Sequence, residues 1–172
     1  MNLALLVVAY KAVWVTSVLG REVWWGAVAS AIFLTFLATR SPRPGGQRWF
    51  LLPIAGFCFG ILTDGFWAQQ GGLVFLQEAF IWGLPLWMPT LWAAFAGAIP
   101  FFLEKLRHRL VVVALIGAIG GPLAYLATMN LGTLTEAAPW VWPMVALEWA
   151  LFPVLALLWA FPEQTTIAPA RP

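Results

Sequence analysis

Three ionisable side chains lie inside long apolar stretches, and these are the residues whose types and positions could do chemistry. Lys11 stands in "LLVVAYKAVWVTSVLG" (5–20), Asp64 in "GILTDGFWAQ" (60–69) and Glu148 in "VALEWALF" (145–152). A charge near the middle of a bilayer costs about 2.5–3.5 kcal/mol on insertion scales. Such residues are therefore expected to face one another or to form a functional site.

The expected depths of the three side chains overlap. A rise of 1.5 Å per residue places Lys11 roughly 12 Å above the inner boundary of the hydrocarbon core. The same spacing places Glu148 roughly 12 Å and Asp64 roughly 8 Å below the outer boundary. In a core of about 30 Å, both acids are within reach of a long lysine side chain. We expect Lys11 to pair with one or both acids; the alternatives are snorkelling of its amine to the headgroups and a purely structural ion pair.

Further polar and aromatic side chains predict a ligand cavity around this pair. We expect the cavity in the outer half of the membrane, with Lys11 and Glu148 as its floor and segment 73–84 as its cap. Tyrosine and tryptophan would form the apolar walls, and the paired charges would hold a polar end of the ligand. The predicted ligand-binding residues are Tyr10, Lys11, Asp64, Glu78, Trp87, Trp92, Tyr125, Asn130 and Glu148.

Several classes of catalytic site are excluded by composition. The only histidine, His108, lies in a basic loop, so neither bis-histidine haem ligation nor a histidine-rich di-iron centre is available. No serine has a base nearby, no metal site is predicted, and no cofactor is expected. The remaining chemistry is acid–base work by Asp64, Glu78 or Glu148 with Lys11 as an electrostatic partner, which could isomerise or cyclise an apolar substrate.

Composition identifies the surroundings in which these residues must act. Of 172 residues, 62% are hydrophobic and only 9% are charged, with a mean hydropathy of +0.87. A soluble protein has about 25% charged residues, so lipid is the expected outer solvent here. The formal net charge of +2 is too small to indicate nucleic acid as a partner. A single cysteine excludes an internal disulfide.

Six apolar segments are long enough, or nearly so, to cross a membrane as helices. Their continuous apolar character excludes a barrel, in which lipid-facing and interior residues alternate. We predict an all-α, six-helix transmembrane bundle that forms a single domain over residues 1–172. A short interfacial helix is expected between spans three and four, within 69–85. The predicted spans are 2–19, 23–39, 49–68, 86–103, 110–129 and 140–161.

The distribution of basic residues predicts the orientation of the bundle. Six spans with both termini in the cytoplasm leave one basic residue outside, Arg21, and one within the membrane, Lys11. This arrangement satisfies the positive-inside rule. The basic residues expected in the cytoplasm are Arg40, Arg43, Arg48, Lys105, Arg107, Arg109 and Arg171.

Two stretches carry a resemblance to a known family. "LPLWMPTLWAAFAGAIPFFLEKL" (84–106) and "IGAIGGPLAYLATMNLGTL" (116–134) resemble the domain-of-unknown-function 2878 family of small bacterial inner-membrane proteins. The resemblance implies a multi-pass protein of the bacterial inner membrane and supplies no activity. Genes of this family often lie beside genes for fatty-acid-modifying methyltransferases, and the resemblance therefore implies a role in lipid or isoprenoid chemistry. The matching positions are Pro85, Trp87, Met88, Leu91, Trp92, Phe95, Ala96, Gly117, Gly120, Gly121, Pro122, Tyr125 and Gly132.

Several functions are consistent with these observations. The leading hypothesis is a membrane protein that binds a lipid or isoprenoid-like amphiphile in an outer-leaflet cavity, as an accessory to lipid-modifying enzymes. Its expected partners are membrane lipids, such enzymes or another membrane protein, and self-association is left open. The alternatives are a substrate-binding subunit of a transporter, a proton-transfer enzyme of the isomerase or cyclase type, and an assembly subunit of a larger complex.

Overall fold

A computed structural model describes residues 3–20, 24–40 and 44–162. Within these residues the chain forms six α-helices, and each begins and ends within two residues of its predicted span. Arg21, Arg43 and Arg171, which contributed to the predicted orientation, lie outside the described residues. The helices are α1 (Leu3–Leu19), α2 (Trp25–Ala38), α3 (Leu51–Gln69, preceded by a 3₁₀ helix, Gly46–Phe50), α4 (Trp87–Leu103), α5 (Leu110–Asn130) and α6 (Val141–Ala160).

Three stretches of helix are long and apolar enough to cross a membrane. They are Gly46–Gln69, which includes the 3₁₀ turn, Leu110–Asn130 and Val141–Ala160. The helices α1 and α2 are apolar but shorter. Large apolar side chains are exposed along the outside of the bundle, including Val111 and Ile119 of α5. An exposed apolar surface of this extent is typical of a protein that lies in lipid.

The central helix of the bundle is α4. It packs against α1, α2, α3 and α6, and most of its residues are buried. A helix that is apolar on all sides can be buried on all sides, which explains its position. The partner of α5 is α6, and α5 makes few contacts with α1 or α4. This leaves a gap between α5 and the α1–α4 pair.

Glycines allow two of the helix pairs to approach closely. The position that a Cβ atom would take on Gly60 of α3 is occupied by the ring of Trp92 of α4. In the same way, Gly117 and Gly121 of α5 lie directly against the backbone and ring of Trp149 of α6. Small residues spaced by four bring helix backbones together in membrane proteins. Here they pack helices within one chain.

The segment between α3 and α4 contains no helix, and the predicted interfacial helix is wrong. Instead, β1 (Leu73–Phe75) pairs antiparallel with β2 (Leu134–Ala137), which precedes α6. Gly71 adopts a φ of 69° after the end of α3, so the chain leaves the helix there. The backbone groups of an apolar segment need partners, and strand β2 supplies them from a distant part of the sequence. The short apolar segment after α3 therefore forms a strand and not a helix.

Basic residues gather at one end of the bundle. The indole N–H of Trp159 donates a hydrogen bond of 3.3 Å to the backbone oxygen of Arg48. The guanidinium of Arg107 lies 5.2 Å from the centre of the Phe161 ring. Arg48, Arg107 and His108 border the same surface pocket. The two-stranded sheet lies at the other end of the helices, because it joins the end of α3 to the beginning of α6.

We expect Gly121→Ala to destabilise the protein and Gly120→Ala to leave it intact. A Cβ atom on Gly121 would collide with the ring of Trp149, whereas a Cβ atom on Gly120 meets nothing within 4 Å. Overpacking costs about 1–3 kcal/mol, while alanine is otherwise favoured over glycine in a helix by about 1 kcal/mol. Thermal unfolding in detergent, followed by tryptophan fluorescence, should show a lower midpoint for Gly121→Ala alone. Equal midpoints for the two variants would contradict this packing.

Candidate functional site

Asp64 lies fully buried in α3, and both of its carboxyl oxygens accept a hydrogen bond. The hydroxyl of Tyr125 donates to Oδ1 at 2.5 Å, and the indole N–H of Trp92 donates to Oδ2 at 2.6 Å. Gly60 lies one turn before Asp64 on the same face of α3, and the Trp92 ring covers it. The missing side chain at Gly60 thus lets the indole of α4 reach the carboxyl group. Asp64 joins α3 to both α4 and α5.

Glu148 of α6 lies beside Asp64. Its side chain is buried, and its Oε2 accepts a hydrogen bond of 3.1 Å from the indole N–H of Trp67. Trp67 follows Asp64 by three residues and so lies on the same face of α3. The carboxyl groups of Glu148 and Asp64 are close enough to interact directly. We refer to Asp64 and Glu148 as the carboxyl pair.

Lys11 does not pair with either acid, so that expectation is wrong. Within the described residues, no basic side chain is among the groups that interact with the carboxyl pair. Lys11 is exposed, and its Nζ lies 5.6 Å from the centre of the Trp14 ring. The indole and phenol groups of α3, α4 and α5 supply the hydrogen bonds that a lysine was expected to supply.

An elongated groove occupies the gap between α5 and the α1–α4 pair. Its volume is about 280 Å³, and α1, α4, α5 and α6 contribute most of its surface. Along α4 the lining residues extend from Trp87 to Leu103, a distance of about 24 Å at 1.5 Å per residue. Phe75 of β1 and Leu134 of β2 lie at the Trp87 end. We refer to this cavity as the aromatic groove.

The aromatic groove differs from the predicted cavity in extent and in floor. The lining extends to Leu103, at the opposite end of α4 from Trp87, and to Val113 near the beginning of α5. The groove is therefore not confined to one half of the bundle. Lys11 lines it, as expected, but Glu148 does not. The rings of Trp92 and Tyr125 line the groove while their polar atoms point to Asp64. The carboxyl pair therefore lies behind an aromatic wall.

The nine predicted site residues fall into three groups. Five line the aromatic groove, two form the carboxyl pair, and two lie outside both. Glu78, between β1 and α4, and Asn130, at the end of α5, are exposed and do not line the groove. The residues that line it are Tyr10, Lys11, Trp87, Trp92 and Tyr125.

Two tryptophans that sequence reasoning did not select are part of the site. Trp67 binds Glu148, and Trp149 lines the groove with its ring centre 4.8 Å from that of Trp92. The sequence contained a signal for Trp149, because it follows Glu148 directly and a large ring can pack against the closely spaced glycines of α5. The indole nitrogens of Trp87 and Trp149 are buried and have no hydrogen-bond partner.

The fold and the site define a helical protein with several membrane-length apolar helices, a buried carboxyl pair and a long aromatic groove. Residues 3–161 match the family described as "Protein of unknown function (DUF2878)". The chain belongs to this family, as its resemblance indicates. No curated protein and no solved structure shows a significant match to the chain.

We expect Asp64→Ala to destabilise the bundle strongly. The substitution leaves the buried N–H of Trp92 and the hydroxyl of Tyr125 without acceptors, and each such loss costs about 1–3 kcal/mol. Asp64→Asn should be milder, since its amide oxygen still accepts one of the two bonds. Thermal unfolding in detergent measures the effect, with Glu78→Ala as the control because Glu78 is exposed. A midpoint for Asp64→Ala equal to that of the wild type would contradict the hydrogen-bond assignment.

Proposed function

We propose that this protein spans the bacterial inner membrane six times, with both termini in the cytoplasm, and binds a long-chain amphiphile in the aromatic groove. The observation that carries the proposal is the groove itself. Ligand sites are typically apolar cavities with a few placed polar groups, and the groove is of this kind. A role as an accessory to lipid-modifying enzymes follows as part of the same proposal.

The basic end of the bundle supports the proposed orientation. Arg48 and Arg107 lie together at the end where α2 meets α3 and α4 meets α5. Lys105 and Arg109 lie in the same α4–α5 connection. Positive charges of this kind mark cytoplasmic loops. The sheet formed by β1 and β2 would then face the opposite side of the membrane.

The shape of the groove supports a chain-like ligand that enters sideways from lipid. The length of about 24 Å along α4 is most of the hydrocarbon thickness of about 30 Å. Gly120 lines the groove and is exposed, and a Cβ atom there would meet nothing within 4 Å. The groove is thus open beside α5. An acyl or isoprenoid chain aligned with the helices fits such a slot.

The carboxyl pair favours a second candidate function, a proton-transfer enzyme acting on an apolar substrate. Tyr125 lines the groove and donates its hydroxyl to Asp64, and Asp64 interacts with Glu148. This places a hydrogen bond between the wall of the groove and the buried Asp64, with Glu148 beside it. Acid–base catalysis needs a donor within hydrogen-bond reach of the substrate, so in this function the Tyr125 hydroxyl would turn from Asp64 into the groove. The transporter-subunit and assembly-subunit hypotheses stay predictions from the sequence.

Filling the groove should remove the bound amphiphile without unfolding the protein. We expect Gly120→Phe to project a ring into the open space beside α5 and to lower copurified lipid at least several-fold. Ile119→Phe, which adds a ring at a neighbouring exposed position that does not line the groove, is the control. Mass spectrometry of lipids extracted from protein purified in a mild detergent measures both. The same lipid content in Gly120→Phe and wild type, or none in the wild type, would argue against the proposal.

The proton-transfer candidate predicts a loss of product with binding retained. We expect Glu148→Gln and Tyr125→Phe to abolish any lipid species that appears only when the wild-type protein is expressed. Both variants keep the shape of the side chain, so copurified lipid should persist. Chromatography with mass spectrometry of whole-cell lipid extracts detects isomerised or cyclised species of unchanged mass. If expression of the wild type produces no new species, the binding function stands alone.

A further inference from the structure

The aromatic groove carries an excess of hydrogen-bond donors that the protein itself does not use. This observation extends the proposed function, on which it rests, to the chemistry of the ligand. We propose that the amphiphile has an anionic head group, which lies beside Lys11 on the side of Trp87. Its apolar chain then extends along α4 toward Leu103.

The charge of the groove is unbalanced. Lys11 brings a positive charge to the lining, and no aspartate or glutamate lines it among the described residues. The acids that could have balanced Lys11 are behind the aromatic wall, where Tyr125 and Trp92 bind Asp64. A cation exposed to an apolar groove in a membrane is costly unless an anion accompanies it.

Several polar groups of the lining residues already have a hydrogen-bond partner in the protein. Trp92 and Tyr125 donate to Asp64, and Thr128 donates to the backbone oxygen of Ala124. The indole N–H of Trp87, a residue of the lining, is by contrast buried without a partner. Buried donors are nearly always satisfied, and a small turn of this ring toward the groove would let an acceptor on the ligand satisfy it.

Lys11, Trp14 and Trp87 all line the groove. The amine of Lys11 lies near the ring of Trp14, one turn along α1 in the direction of Ser17. Ser17 and Trp87 both contact the Cβ position of Gly26, so they lie at the same level. Trp87 therefore lies at a level about 9 Å beyond Lys11, at 1.5 Å per residue of α1.

Trp149 lies across the groove from the same part of α1. Its ring centre is 4.7 Å from that of Phe95, and Phe95 also contacts Tyr10, with ring centres 6.0 Å apart. Tyr10 is the neighbour of Lys11 in sequence. A head group beside Lys11 can thus meet the ammonium group on one side and aromatic rings on the other.

The remaining part of the groove is suited to the chain. Toward the Leu103 end the lining is aliphatic or aromatic, apart from the phenol of Tyr10. Ile99, Phe102, Leu103, Val113 and Ile116 contribute to this part. The polar and apolar surfaces are therefore separated along the length of the groove, which matches an amphiphile with one charged end. A carboxylate or a phosphate would supply the required charge and acceptor oxygens.

Equilibrium binding of three amphiphiles with the same chain tests the inference. Palmitate, palmitoyl lysophosphatidate and neutral monopalmitoylglycerol, each radiolabelled, are titrated against delipidated full-length protein in a maltoside detergent. We expect at least one anionic probe to bind about tenfold more tightly than the neutral one, equivalent to about 1.4 kcal/mol. Whichever anionic probe binds more tightly identifies the head group as carboxylate or phosphate.

Matched variants assign the preference to the groove. Lys11→Met should abolish the preference for anionic probes over monopalmitoylglycerol. Lys105→Met, which removes an exposed charge outside the groove, should keep it. Trp87→Phe retains the ring, removes the N–H and should weaken anion binding a few-fold, since hydrogen bonds to charged groups are the stronger ones.

Two results would overturn the inference and can be told apart. Equal binding of all three probes, or a preference that survives Lys11→Met, refutes the anionic head group and leaves amphiphile binding in place. Failure of every probe to bind refutes both this inference and the proposed function.

Discussion

A buried carboxyl group in an apolar helix bundle requires hydrogen-bond donors, and Asp64 obtains them from two other helices. Trp92 of α4 and Tyr125 of α5 each satisfy one of its oxygens, and Glu148 brings α6 to the same place. Leaving such a group unsatisfied costs more than the bonds gain, so the four helices can adopt few other arrangements around it. The remaining features of the site follow from this cluster.

The cluster also determines which surface the aromatic groove presents. Because Trp92 and Tyr125 turn their polar atoms to Asp64, they offer ring faces and edges to the groove. The acids are thereby hidden, and Lys11 is the charged residue of the lining. One protein thus holds a buried carboxyl pair and a groove with a basic residue in its lining, separated by aromatic rings. Tyr125, which belongs to both, is where binding and proton transfer would be coupled.

Glycines on α5 produce the groove by two opposite effects. Gly117 and Gly121 draw α5 against Trp149 of α6, which leaves α5 apart from α1 and α4. Gly120 keeps the side of α5 that faces the gap free of a side chain. An adjacent pair of glycines therefore performs two tasks: Gly121 is needed for close packing, and Gly120 for open space. A bundle with larger residues at these positions would have neither the contact nor the slot.

The sequence by itself determined the six helices and their bounds within two residues, because long apolar runs are sufficient to locate helices. It also determined the family and pointed to five of the residues that line the groove. It did not determine what Lys11 faces, because the depth of a residue along a helix does not tell how the helix is rotated about its axis. The two acids accept hydrogen bonds from indole and phenol groups instead. It also did not reveal strand β1, whose partner β2 lies about sixty residues away. Only the tertiary structure decided these points, because hydrogen-bond partners within a bundle and between distant segments depend on how the helices pack.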